Sequence, residues 1–117
     1  MKQFLAVYLG NEASFNASGW NALSEDARKK REQEGMQAWG KWVETHKAAI
    51  IDTGAPLGKT LRVSKDGIES TRNNLTGYTV VRADSQESAA RMFEGHPHFT
   101  IFPGDSIEIV ECLPMPG

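Results

Sequence analysis

The sequence has a single cysteine, Cys112, so the chain cannot form an intramolecular disulfide. This excludes the small secreted folds that depend on disulfides for stability. Cys112 falls within an apolar, strand-like stretch, where a cysteine is usually a small buried hydrophobic side chain and not a nucleophile. A buried thiol of this kind suits a reducing compartment, and we expect the cytoplasm.

The chain also lacks a strong excess of either charge, with 13 basic and 15 acidic residues. A broad positive field is therefore missing, and we expect neither nucleic acid nor an anionic membrane as a partner. The apolar run from Phe4 to Leu9 is too short for the core of a signal peptide or for a membrane span.

The 117 residues are enough for one domain, residues 1–117, with one hydrophobic core. Stretches rich in β-branched and apolar residues predict strands at 2–9, 48–52, 60–64, 76–83 and 106–113. Ser24 is a typical cap for a helix that begins near residue 25, and Asp84 and Ser85 cap a second helix that ends at Gly95. The Gly- and Ser-rich residues 10–20 predict a loop.

The first helix carries an apolar stripe formed by Met36, Trp39, Val43 and His46. An earlier stripe, which includes Trp20, is rotated away from it, and this offset predicts a bend or break near Gly35. The segment TGAPLGKT that follows the helix and the next strand resembles a phosphate-binding loop. Only three residues separate its first glycine from Gly-Lys-Thr, however, and a strand follows, so we predict a turn and no nucleotide cofactor.

The predicted order is β-α-β-β-β-α-β. If the middle hairpin at Lys65-Asp66-Gly67 is merged, it becomes the ferredoxin-like βαββαβ pattern of an α+β protein. In that pattern two helices cover one face of an antiparallel sheet, and the other face is bare. Because the strands are apolar on both sides, we predict that two copies bury their bare faces against each other as a homodimer.

His96 and His98, directly after the second helix, are the sharpest candidates for chemistry. Residues two apart in an extended segment point the same way, so both imidazoles would face one ligand, with one acting as general base or acid. The structural alternative is that they complete a helix end and turn. Helix-end loops often carry binding groups, and we retain both as catalytic candidates.

Three further residues are ligand-binding candidates, namely Trp39, His46 and Tyr78. Aromatic residues at these spacings usually belong to a core, and His46 is alternatively a core histidine bonded to a carbonyl. No set of ligands at metal-binding spacing accompanies the histidines, so we predict no metal.

The chain resembles the YCII-related family, in its branch of small bacterial proteins with a DGPF-type or sigma-factor-associated label. The resemblance rests on the combination of FLAVYLG, MQAWGKWVE, AAIIDTGAPLG, LTGYTVVRADSQESA, GHPHF and IEIVECLPMPG. It implies a ferredoxin-like subunit that pairs into a dimeric α/β barrel, with a cleft between the helices and the sheet edge.

One enzyme similar to this family removes chloride from a chlorinated hydroxyhydroquinone with a His-Asp pair. The matching positions here hold Gln37 or Ala38 and His96, so the resemblance does not carry that activity over. Two functions remain: a small-molecule enzyme or binding protein with its site at His96 and His98, or a noncatalytic dimeric module that regulates another protein.

Overall fold

The structure, a computed structural model, describes residues 1–116. The strands are β1 (Lys2–Leu9), β2 (Ile50–Asp52), β3 (Thr60–Ser64), β4 (Gly67–Thr71), β5 (Leu75–Ala83) and β6 (Ser106–Cys112). The helices are α1 (Glu12–Ala17), α2 (Glu25–Thr45), α3 (Gln86–Arg91) and α4 (Pro97–Thr100), with a short 3₁₀ turn at Trp20–Ala22. The predicted α+β class is confirmed.

Four strands form one antiparallel sheet in the order β2-β5-β1-β6. The central strand β1 alternates in burial, because successive side chains point to opposite faces. Phe4, Ala6 and Tyr8 are buried on one face, and Thr79 and Val81 of β5 are buried beside them. The side chains of α2 and α3 cover this face and complete the core.

Trp42 joins the two helices of this layer. It is the buried aromatic residue of α2 and packs on Phe93, with the ring centroids 4.8 Å apart. Its Nε1–H donates a 2.7 Å hydrogen bond to the carbonyl oxygen of Met92. A buried indole needs such an acceptor, so this bond fixes α2 against the end of α3.

In the part of the chain that the structure describes, no element covers the opposite face of the sheet. Leu5 and Val7 of β1 are half-buried there, whereas Ile51 and Val110 on the outer strands are 46% and 48% exposed. Apolar residues thus line a continuous surface across the four strands.

Strands β3 and β4 form a separate two-stranded hairpin, as the Lys65-Asp66-Gly67 turn predicted. Gly67 has a φ of 111°, a conformation that glycine adopts without strain. Neither strand pairs with the four-stranded sheet, so the hairpin stands apart from the core.

Three local predictions were wrong. Residues 10–20 are not a loop, because Asn11 and Ser14 form a reciprocal capping box that starts α1. Helix α2 is continuous through Gly35, and no break separates the two stripes. Cys112 is exposed, because it lies at the end of the edge strand β6 on the uncovered side.

Within residues 1–116, no helix has both the length and the apolar character needed to cross a bilayer.

Gly54 shapes the turn that leaves β2 and leads toward the hairpin. Its φ is 75°, and its N–H donates a 2.8 Å hydrogen bond to the Asp52 carboxylate. A side chain at this position would collide with the backbone carbonyl oxygen of Tyr78. The turn therefore requires glycine both for its backbone conformation and for its contact with β5.

We expect Gly54→Ala to lower the free energy of unfolding by about 2–4 kcal/mol, because it combines left-handed strain with overpacking. Urea denaturation measures this change. Gly58→Ala is the matched control, since a Cβ at Gly58 meets no atom within 4 Å. Equal effects of the two substitutions would contradict the prediction.

Candidate functional site

A cavity of about 790 Å³ opens between α2 and the ends of the central strands. Its lining comes from α2, from the start of α1, from the turn after β2 and from the segment that follows α4. The main wall residues are Tyr8, Phe15, Met36, Trp39, Val43, Thr53, Gly54, Ala55, Pro56, Tyr78, His98, Phe102 and Pro103. The walls are mostly apolar and aromatic, as is typical of small-molecule sites.

The apolar stripe of α2 borders this cavity, and its residues Trp39 and Val43 also pack against the core. Met36, Trp39 and Val43 all line the cavity, and Met36 is 65% exposed. Trp42, which is not one of the stripe residues, is the side chain of α2 that is buried in the core. The periodicity thus identified the apolar face of α2 correctly. Most of the residues on this face line the cavity.

Tyr8 lines the cavity, and its hydroxyl group forms a buried hydrogen bond. Its Oη lies 2.7 Å from Oγ1 of Thr79, and the Thr79 hydroxyl donates a 3.0 Å hydrogen bond to the carbonyl of Thr53. Since the proton of Thr79 is used in that bond, Tyr8 is the donor to Thr79. Burial raises the pKa of Tyr8 to about 12, although the bond to Thr79 lowers it. Tyr8 therefore stays neutral and retains lone pairs that can accept a hydrogen bond.

His98 lines the cavity and is 7% exposed. Its Nε2 lies 2.8 Å from the carbonyl of Leu9, which can only accept, so Nε2 carries the proton. Burial lowers the pKa of His98, against the Leu9 and Ser106 backbone groups and the Asp105 carboxylate, which raise it. The neutral ring thus has Nδ1 as its acceptor nitrogen.

Gly104 makes room for the His98 ring. A Cβ at Gly104 would collide with Cε1 and Nε2 of His98. The backbone N–H of Gly104 also donates a 3.0 Å hydrogen bond to the His98 carbonyl. The segment after α4 therefore fixes the position of the imidazole.

His96 is fully buried and does not line the cavity. It is the N-cap residue of α4, where its Nδ1 accepts a 3.0 Å hydrogen bond from the backbone N–H of His98. The proton must therefore lie on Nε2, which has no nitrogen or oxygen partner. The ring is enclosed by Trp39 and Trp42, with centroids 4.4 and 4.8 Å away and steep interplanar angles. Such geometry suits an N–H donor directed at an aromatic face.

Burial, together with the smaller effect of the positive charges that His98 and His46 can carry, lowers the pKa of His96 to about 3. The ring is therefore neutral at physiological pH.

The cavity has very little charge. Among residues 1–116, no lysine or arginine lines it, and Glu12 is its one carboxylate. A bound anion would have no cation to pair with, and burying an unpaired charge is costly. The same region also holds no cluster of three or more potential metal-ligating side chains.

The structure brings together some of the predicted site residues. Trp39, Tyr78 and His98 line the cavity, whereas His96 and His46 do not. His46 is half-buried at the end of α2, 5.0 Å from the ring of Trp42. The rings of His96 and His98 each lie 5.3 Å from the ring of Tyr8.

The extended conformation predicted for residues 96–98 was wrong. Pro97 occupies the first position of a helix, where its fixed φ is favourable, and His96 caps that helix. Two further site residues, Tyr8 and Phe102, were not predicted from the sequence. Tyr8 belongs to the alternating residues of β1 that point into the core. A residue at the end of a strand has the same sequence pattern whether it borders a cavity or is packed in the core.

The pKa of His96 makes stability depend on pH. Between its ordinary pKa of 6.5 and about 3, the unfolded chain binds a proton that the folded chain does not. The free energy of unfolding should therefore fall as the pH is lowered from 7 to 4. His96→Asn keeps a capping oxygen but has no titrating ring. We expect it to reduce the slope of the free energy of unfolding against pH by an amount equivalent to at most one bound proton. Urea denaturation across this pH range measures the slope, and an unchanged slope would show that His96 titrates normally.

Comparison with known proteins supplies a fold relative. No protein-family model and no curated protein sequence matches the chain. Among solved structures, the chain is similar to 5-chloro-2-hydroxyhydroquinone dehydrochlorinase (TftG) from Burkholderia phenoliruptrix AC1100, solved in complex with 2,5-dihydroxybenzoquinone. The TM-score is 0.50 and the sequence identity 16%, over 92% of this chain and 89% of the other. This similarity shows a distantly related fold.

Proposed function

We propose that this protein binds a neutral, planar aromatic molecule of the phenol class in the cavity beside α2. The observation that carries the proposal is a large cavity with mostly apolar and aromatic walls, which Tyr8 and His98 line and which has no lysine or arginine. The ligand of the structural relative, a dihydroxybenzoquinone, is also a small oxygenated ring. The noncatalytic regulatory alternative does not account for a cavity of this size.

The polar contacts proposed for the ligand come from His98 and Tyr8. With Nε2–H of His98 bonded to Leu9, its Nδ1 is the acceptor that a phenolic hydroxyl group needs. Nδ1 is also the atom that would take the proton if the site performs general base catalysis. His96 acts here as a positioning residue, because its Nδ1 holds the backbone of His98.

Binding can be tested by calorimetry with hydroquinone and with 4-hydroxybenzoate. The two probes have similar ring size, but the second is an anion at neutral pH. We expect hydroquinone to bind at least about tenfold more tightly, because the cavity has no cation to pair with a carboxylate. Equal or tighter binding of the anion would refute the proposed ligand class.

A matched pair of variants shows where the ligand binds. Met36→Trp should reduce the affinity for hydroquinone by at least about tenfold, because the larger side chain fills the cavity next to Trp39. Gln37→Trp is the control, since Gln37 is exposed on the same helix and does not line the cavity. Equal loss in both variants would place the ligand elsewhere.

We further propose that the chain is a remote member of the YCII-related group, with a ferredoxin-like βαββαβ subunit and a homodimer of dimeric α/β barrel type. The strand order β2-β5-β1-β6 and the helices on one sheet face support the subunit fold. The uncovered apolar sheet face, with Ile51 and Val110 about half exposed, supports pairing of two copies.

Light scattering at micromolar concentration should give about twice the 12.9 kDa mass of the chain. Val110→Lys should shift the protein toward monomer, because a charge would then be buried between the two sheets. Ala90→Lys, on the exposed side of α3, is the control and should leave the dimer intact. A wild-type monomer at all concentrations tested would refute the pairing.

A further inference from the structure

The β3–β4 hairpin, residues 59–72 and here called the arm, has one polar and one apolar face. Val63 lies opposite Ile68 in the register, and Leu61 is two residues before Val63, so all three share one face. They are 65–75% exposed. On the other face Arg62 forms a 2.9 Å ion pair with Glu69. Within residues 1–116, the hydrophobic side chains on the first face thus have no covering partner.

The arm extends away from the main body. The radius of gyration is 16.1 Å, compared with about 13 Å expected for a compact domain of this length. The principal extents of 54 × 42 × 18 Å describe a flat, elongated molecule. An isolated two-stranded hairpin is only marginally stable in water, and it needs packing against another element. The arm therefore needs a surface that the chain itself does not bring to it.

Charge indicates which surface this is. The arm contains four basic and two acidic residues, which leaves nine basic and thirteen acidic residues in the rest of the chain. A net charge of +2 on the arm thus faces a body of net charge −4. The body also carries the uncovered apolar sheet face, and Glu108 of the edge strand β6 lies on this face opposite Val7. The body of a second copy therefore offers an apolar surface that can cover the arm and a negative charge that complements the positive charge of the arm.

We infer that the arm of each subunit packs its apolar face, Leu61, Val63 and Ile68, onto the body of a second copy of this chain. Two-fold symmetry repeats this contact in both directions, so six of these side chains, three from each arm, are buried in the dimer. This inference rests on the homodimer proposed above, and it adds a second contact region to the paired sheets.

The test compares two sets of substitutions by sedimentation equilibrium. The arm variant Leu61→Thr, Val63→Thr and Ile68→Thr keeps residues that favour strands but removes apolar surface. We expect the dimer dissociation constant to rise by at least about a hundredfold, because six partly exposed side chains lose their burial. The control variant Arg62→Thr and Glu69→Thr alters the opposite face of the same hairpin. It should change the constant by less than about threefold.

A second measurement uses the unaltered protein and does not depend on whether the variant folds. In a mixed dimer of isotope-labelled and unlabelled chains, filtered NMR should show contacts between the Ile68 or Val63 methyl groups and the other chain. A dimer without these contacts, or an arm variant with an unchanged dissociation constant, would overturn the arm contact and leave the sheet pairing in place. A monomeric wild type would overturn both. Binding of the wild type to anionic vesicles, lost in the arm variant while the dimer persists, would also overturn this inference by assigning the arm to a lipid surface.

Discussion

The packing around Tyr8 is the interaction on which the site depends. Tyr8 lies on the central strand, and its ring contacts those of Trp39, Phe93, His96 and His98 at centroid distances of 5.1–6.3 Å. Its hydroxyl group extends the same contacts across the sheet to Thr79 and, through it, to the turn after β2. One side chain thus holds the helix wall, the histidine segment and the turn in a common position. Aromatic pairs and a satisfied buried hydroxyl group are both favourable, so these contacts stabilise the fold and the cavity together.

The two histidines illustrate how neighbouring residues of one type take different roles. His96 has no exposed surface, and its ring is kept neutral among indole rings, where a charged imidazole would be strongly disfavoured. His98 borders open space and is held by a carbonyl and a glycine. The pair therefore combines a fixed structural element with a group that can meet a ligand. The hydrogen bond from the backbone of His98 to the ring of His96 connects these roles.

Much of the fold was predictable from the sequence, because it follows from periodicity. The apolar run in residues 2–9 and the alternation in residues 76–83 identified the two central strands, and Ser24 identified the start of α2. Helices α1 and α4 were missed, because each is a short segment defined by a side-chain cap and not by an apolar repeat. The cavity also could not be predicted from sequence patterns. A stripe such as Met36, Trp39 and Val43 has the same spacing whether it meets a core or an open space, and only the position of the turn after β2 and the segment after α4 decides between them.

Gly35 has a consequence for the size of the cavity. It is buried on α2, and a Cβ at this position would collide with the ring of Phe102, which is one wall of the cavity. The hydrogen atom at residue 35 therefore lets Phe102 lie close against the helix backbone. Any larger residue would push the ring inward and shrink the space available to a guest molecule. Residue 35 thus sets the volume of the cavity without lining it, so that volume can change in evolution while every wall residue stays the same.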